Sequence, residues 1–128
     1  MAEGVRNLVL NELPFRGISV NTLAGADASI AVVASESGVL FVNHCASATT
    51  YTLPTVALAK GKWFWFFNVG AAGMIITGGT ASVMVRKNSA TSTSVTFATS
   101  SEMIGAACLI MCDGTNYFCF NLSTCTIT

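Results

Sequence analysis

Short apolar segments separated by small and polar residues run along the chain from Ile30 onward. They are rich in Val, Thr, Phe and Ile, and a spacing of about ten residues is typical of a β-sandwich or barrel. Neither Val56–Lys60 nor Ser101–Ala107 is long enough for the crossover helix of a parallel βαβ unit. We therefore predict an all-β fold, either an antiparallel, jelly-roll-like β-sandwich or a barrel. The predicted strands are Ile30–Val33, Val39–Asn43, Thr50–Leu53, Lys62–Val69, Met74–Thr77, Ala81–Arg86, Thr93–Phe97, Ala107–Cys112 and Thr115–Asn121.

The first 29 residues have a different composition from the rest. Five of the twelve charged residues lie there, at Glu3, Arg6, Glu12, Arg16 and Asp27, and Pro14 and Gly17 interrupt the segment. Proline and glycine disfavour a regular core element. We predict an extended N-terminal arm over residues 1–29 and a β-domain over residues 30–128.

The predicted strand Lys62–Val69 reads "KWFWFFNV", with five aromatic residues in succession. Side chains alternate between the two faces of a strand, which divides this segment into two sets. Trp63, Trp65, Phe67 and Val69 are all apolar, so we assign them to the core. Phe64 and Phe66 lie between the polar residues Lys62 and Asn68, which resembles an apolar patch with a polar rim, and we predict that they form an oligomer interface.

A second strand pair with two apolar faces surrounds Asp113-Gly114, a dipeptide that favours a two-residue type I′ hairpin. That turn pairs Cys108 with Cys119, Leu109 with Phe118 and Met111 with Asn116. The predicted faces are Ala107, Leu109, Met111, Phe118 and Phe120 on one side, and Cys108, Ile110, Cys112, Tyr117 and Cys119 on the other. Directly opposed cysteines would lie within disulfide range, and we expect this pair to be reduced but oxidisable.

Charge is scarce, because Lys, Arg, Asp and Glu make up 9% of the 128 residues and the mean hydropathy is +0.64. Soluble surfaces carry about 25–35% charged residues, so we infer that copies of the chain or a larger assembly cover much of this one. The net charge is zero. Nucleic-acid binding therefore has no electrostatic support. The longest apolar run, Met103–Cys112, is too short to span a membrane, which takes about twenty residues.

The chain contains few residues suited to catalysis or metal binding. His44 and Cys45 are adjacent, and on a strand adjacent side chains point to opposite faces, so we predict no catalytic dyad and no enzyme. Asp113 suits a turn better than a calcium site. The five cysteines form no CxxC pair, which excludes a zinc ribbon, and we predict no metal and no cofactor. A sugar platform at Trp63 and Trp65 lacks polar partners.

The order of the segments resembles a small β-structured module found in structural proteins of tailed bacteriophages. Its elements are Ser37-Gly38 before a strand, a Thr-rich strand ending in Leu53-Pro54, Gly61-Lys62 leading an aromatic strand into Asn68-Val69-Gly70, and a terminal Asp113-Gly114-Thr115-Asn116-Tyr117. The similarity covers about residues 36–121. The sequence departs from this pattern at Tyr117, where a Trp is common, and in its number of cysteines.

The resemblance implies a capsid decoration, or cement, protein, since one module with an arm makes up the chain. Such a protein binds the major capsid protein on the outside of the shell, commonly as a homotrimer, and stabilises it. We expect folding in the host cytoplasm, location on the virion, and no partnership with nucleic acid or membrane. The predicted capsid contacts in the arm are Arg6, Leu8, Leu10, Leu13, Phe15 and Arg16. The alternative is a tail-fibre or receptor-binding module.

Overall fold

The computed structural model describes residues 15–22, 28–98 and 100–123. These residues form eleven strands and one short 3-10 turn, Ala34–Glu36. The strands are β1 (Gly17–Asn21), β2 (Ala28–Ala31), β3 (Val39–Asn43), β4 (Thr49–Thr52), β5 (Trp63–Asn68), β6 (Met74–Thr77), β7 (Met84–Arg86), β8 (Ser89–Ser92), β9 (Ser94–Phe97), β10 (Ala107–Cys112) and β11 (Tyr117–Asn121).

The strands form a seven-stranded large sheet in the order β1-β3-β5-β10-β11-β7-β8 and a four-stranded small sheet in the order β2-β4-β6-β9. In the first half of the chain, consecutive strands alternate between the sheets, so β1 and β2, β3 and β4, and β5 and β6 make three successive coils. Neighbouring coils pair in parallel in both sheets. The second half closes the structure with antiparallel pairs, in which β10 joins β5 to β11 and β9 joins β6.

Aromatic residues fill the space between the two sheets. The rings of Phe41 and Phe66 in the large sheet stack at 5.3 Å, and the ring of Tyr51 from the small sheet lies 5.3 Å from Phe66 and 5.9 Å from Phe41. Phe64, Ile76 and other fully buried side chains extend this core. Burial of such side chains is the main force that holds the two sheets together.

A ladder of three asparagines closes the core at the ends of β1, β3 and β5. Asn21, Asn43 and Asn68 occupy equivalent positions in the parallel register and are all buried. Asn21 Nδ2 donates to Asn43 Oδ1 at 3.4 Å, and Asn43 Nδ2 donates to Asn68 Oδ1 at 2.9 Å. Asn68 Nδ2 contacts the carbonyl oxygens of Gly70, Ala72 and Met103. The amides thus satisfy one another where the chain leaves the large sheet.

The predicted all-β sandwich is confirmed, although its sheets are mixed rather than antiparallel. The prediction assumed that a parallel connection needs a helix. Here the connecting element is a strand of the opposite sheet, which returns the chain to the first sheet in the parallel direction.

The predicted boundary between arm and domain, at residue 30, is wrong. Residues of β1 and β2 lie before it and pair in parallel with β3 and β4, so both sheets begin inside the predicted arm. Residues 1–14 lie outside the described residues. The strand β8 was also missed, because the Ser, Ala and Thr of Ser89–Ser92 resemble a loop composition.

The predicted faces of β5 are reversed. Phe64 and Phe66 have none of their surface exposed, whereas Trp63 and Trp65 are half-buried and Phe67 is 38% exposed. The prediction took Asn68 as a sign of the solvent side. Asn68 is instead buried in the asparagine ladder, so its polarity is satisfied inside the fold and Phe64 and Phe66 point inward with it.

The predicted hairpin register is also wrong, by two residues. Cys112 pairs with Tyr117, which leaves a four-residue loop, and Cys119 lies opposite Ile110 rather than Cys108. The Asp113 side chain explains the longer loop, since its Oδ1 accepts hydrogen bonds from the backbone N–H groups of Thr115 and Asn116, both at 2.7 Å. A shift of two keeps every side chain on its predicted face, so the two face sets are confirmed.

Candidate interaction surface

The outward face of the large sheet is made entirely of hydrophobic side chains across six strands. We call this set the apolar face: Ile18, Val20, Leu40, Val42, Trp63, Trp65, Phe67, Val85, Ala107, Leu109, Met111, Phe118 and Phe120. None of the thirteen is polar or charged.

The strand register aligns these residues in continuous rows. The central row runs through Ile18, Leu40, Trp65, Leu109 and Phe120 on five adjacent strands. A row on one side of it runs through Val20, Val42, Phe67 and Ala107, and a row on the other side runs through Trp63, Met111, Phe118 and Val85. Directly paired residues of one row have their Cβ atoms about 4.5–5.5 Å apart. The rings of Trp63 and Trp65, 6.2 Å apart, join the central row to the row beside it.

Much of this surface is open to solvent in the single chain. Ile18 is 60% exposed, Val20 55% and Phe120 50%, and Met111 is 40% exposed. Phe15, just before β1, contacts the middle of the face, where its ring packs edge-on against Trp65 at a centroid distance of 6.3 Å. Contiguous exposed apolar surface of this kind usually marks an interaction site.

The local sequence explains why the large sheet is apolar on both sides. In β5 the residues Phe64 and Phe66 enter the core while Trp63, Trp65 and Phe67 alternate with them and point outward. In β10 the buried residues Cys108, Ile110 and Cys112 alternate in the same way with outward residues. A strand that faces water on one side normally alternates apolar with polar, and these strands do not.

The small sheet presents a different outward face. Its outward positions are Ser29, Ala31, Thr50, Thr52, Ile75, Thr77, Ser94 and Thr96. Six of the eight carry a hydroxyl group, which can hydrogen-bond to water without a protein partner. The two outward faces of the sandwich are therefore chemically distinct, and the apolar face of the large sheet is the candidate interaction surface.

The structure describes only some of the residues that we predicted to contact other copies or the capsid. Phe64 and Phe66 lie in the core, so they cannot form the surface patch predicted for them. Arg6, Leu8, Leu10 and Leu13 lie outside the described residues. Phe15 lies against Trp65, and the Arg16 guanidinium donates to the carbonyl oxygen of Ser35.

The structure separates the one adjacent nucleophile and base. His44 is exposed at the end of β3, whereas Cys45 is buried with its Sγ 3.9 Å from the carbonyl oxygen of Asn21. Asp113 acts as a turn residue, and the backbone N–H groups of Asn116 and Thr115 lower its pKa by stabilising the carboxylate. Within the described ranges, no three His, Cys, Asp or Glu side chains are grouped as metal ligands would be.

Cys108 and Cys119 share the inward face of the last hairpin although they are not directly opposed. A hydrogen bond from Cys108 lowers the pKa of the Cys119 thiol, and Arg86 acts in the same direction against the effect of burial. Cys108 lies opposite Asn121 in the register, so the direct pairing on which the predicted disulfide range depended does not occur.

In the part of the chain that the structure describes, no helix is long and apolar enough to cross a membrane. Comparison with known proteins finds no match among protein-family models, curated proteins or solved structures.

Proposed function

We propose that the chain is a non-enzymatic structural protein of a bacteriophage virion, which binds the outer surface of the capsid as a homotrimer and stabilises the shell. The observation that carries the proposal is the apolar face, because a chain with so large an outward hydrophobic surface is suited to an assembly rather than to a monomer. The order of motifs from Ser37-Gly38 to Tyr117 resembles that of capsid decoration proteins, and this resemblance supports a phage capsid as the assembly.

The proposed mechanism is preferential binding to the assembled shell. A ligand that binds only the assembled state stabilises that state by mass action, without any chemical step. The major capsid protein is the proposed partner. The hydroxyl-rich face of the small sheet would remain toward solvent, since it needs no partner to satisfy its polar groups.

A tail-fibre module is the second candidate, and the coil architecture favours it. The three coils stack through parallel pairs along one direction, and among the described strands β1 forms the edge of the large sheet. Repeated coils of this kind are the basis of elongated β-solenoids, in which each unit contacts its neighbours.

Cryo-electron microscopy of particles of the phage that encodes the chain tests both candidates. The decoration hypothesis predicts density for this sandwich at many sites across the capsid lattice. Density restricted to the tail would replace it with the fibre hypothesis, and particles that lack the chain altogether would contradict both.

A biochemical test compares purified shells with and without the added protein. Saturated shells are expected to release their contents at a higher temperature than bare shells, as followed by light scattering and dye access to DNA. Equal release temperatures at full occupancy would contradict a stabilising role.

A further inference from the structure

We propose that the apolar face of the large sheet is the surface through which copies of this chain bind one another. The inference rests on the proposed function in that it identifies the contact within the proposed oligomer. It adds which side of the sandwich forms that contact and which side does not.

The size of the face suits an interface between subunits. Five strands about 4.8 Å apart span about 24 Å, and three rows of outward residues cover about 17 Å along the strands, which gives a projected area of about 400 Å². The accessible surface of protruding side chains exceeds this projection, and a standard interface buries about 800 Å² on each partner. The face therefore supplies the centre of an interface, and Phe15 adds to it through its contact with Trp65.

The chemistry of the face favours an identical partner. The face offers no charge to recognise a nucleic acid or a charged peptide, and all of its side chains are hydrophobic. Interfaces between permanently associated copies are the most hydrophobic class and resemble a domain core divided in two. In the proposed homotrimer, each apolar face would be covered by the faces of the other two copies.

The scarcity of charge supports the same partner. Twelve charged residues among 128 leave little to keep an isolated subunit soluble. Association through the large sheet would leave the hydroxyl-rich face of the small sheet as the outer surface. The three apolar faces would meet around the three-fold axis and form a second core outside the core of each sandwich.

Both tryptophans of the chain, Trp63 and Trp65, belong to the apolar face and are half-buried in the single chain. Their fluorescence therefore reports directly on whether something covers it. We expect acrylamide to quench the fluorescence of the full chain weakly at high protein concentration and strongly on dilution. The mass from light scattering should fall over the same concentration range.

Phe67→Glu places a charge in the apolar face at an exposed position of β5. We expect it to weaken association by roughly thirtyfold or more, the level of an interface hot spot. Thr52→Glu is the matched control on the outward face of the small sheet, and it should associate like the unchanged chain. Met111→Lys changes another exposed position of the face and should weaken association in the same way, which separates the effect on the face from a folding defect of one variant. Near-ultraviolet circular dichroism of each variant checks that it is folded.

Three results would overturn the inference. One is association that neither Phe67→Glu nor Met111→Lys weakens, since copies would then meet elsewhere. Another is a monomeric chain whose tryptophans resist quenching at every concentration, which would assign the cover to residues 1–14 of the same chain. The third is a monomeric chain whose tryptophans are protected only by phosphatidylcholine vesicles.

The test is independent of the capsid. If the chain forms an oligomer through the apolar face but does not bind capsid shells, the proposed function is contradicted and the inference stands. Conversely, a Phe67→Glu chain that still assembles on the capsid as a trimer would remove the inference and leave the proposed function.

Discussion

Asparagine 43 shows how a single polar side chain can determine which way a strand faces. It lies fully buried between Asn21 and Asn68, accepts a hydrogen bond from one and donates to the other. An amide can be buried at low cost only when its donors and acceptors are paired. The ladder meets this condition, because parallel strands place the same residue at the same height in each coil.

We expect Asn43→Ala to lower the free energy of unfolding by about 2–3 kcal/mol, since it removes the hydrogen bonds that the buried Asn43 amide makes with Asn21 and Asn68. Urea denaturation followed by circular dichroism measures the change. His44→Ala, at the next and exposed position, should stay within about 0.5 kcal/mol of the unchanged chain. Equal effects of the two substitutions would show that the ladder contributes nothing to stability.

The sequence predicted individual strands better than their arrangement. The bounds of Val39–Asn43, Met74–Thr77 and Ala107–Cys112 were predicted as observed, because β-branched and apolar residues between small or polar ones are a local signal. Parallel pairing between coils is not local, since β1 and β3 meet only after β2 has crossed to the other sheet.

The orientation of β5 could not be read from its alternation alone. Both of its residue sets are apolar, and a period of two separates the sets without saying which one is buried. The deciding contacts come from Phe41 and Tyr51, which lie far away in sequence and pack on Phe66. A usable signal was present in the recurrence of Asn at the ends of β1, β3 and β5, which marks one equivalent position in each coil.

The turn between β5 and β6 depends on close contact between two coils. A Cβ atom at Gly70 would lie 2.2 Å from the carbonyl oxygen of Cys45, whereas one at Gly73 in the same turn would lie no closer than 3.4 Å to any atom. The first distance is a steric clash with backbone, and the second is ordinary van der Waals contact. Glycine is therefore required at position 70, whereas position 73 has room for an alanine.

We expect Gly70→Ala to cost about 1–3 kcal/mol of unfolding free energy, because β5 and β6 must move away from the coil before them. Gly73→Ala should change the same quantity by about 1 kcal/mol or less. Thermal and urea denaturation of both variants measure the difference. If Gly70→Ala proved as stable as Gly73→Ala, the close packing of the two turns would be contradicted.

The chain has two tyrosines, Tyr51 in the small sheet and Tyr117 in the large sheet. Their ionisation therefore probes whether both sheets of the sandwich are folded. Burial raises the pKa of Tyr51 to about 12, although the neighbouring Asn21 side chain acts in the opposite direction. Burial also raises the pKa of Tyr117, and the nearby Cys112 adds to this effect. The Tyr117 hydroxyl donates to the carbonyl oxygen of Pro54, which holds the neutral form.

A phenol whose pKa is higher in the folded chain than the ordinary value of 10.0 favours folding while it stays protonated. Its contribution is complete below pH 10 and is lost as the pH rises toward 12. We therefore expect no tyrosinate absorbance near pH 10 in the native protein, followed by ionisation of both tyrosines together with loss of the circular dichroism signal. Half-ionisation near pH 10 with the native signal intact would show that the tyrosines are accessible.

The alternation between sheets has a consequence for the order in which the chain is made. Among the described strands β1 is the first to be synthesised, yet Ile18, Ser19 and Val20 are all exposed, and β3 is its only neighbour among the described strands of the large sheet. β1 therefore cannot take its observed place in the large sheet until β3 has been synthesised, and β3 in turn pairs with β5. The sandwich would therefore fold from its central strands outward, with β1 docking late and opening first.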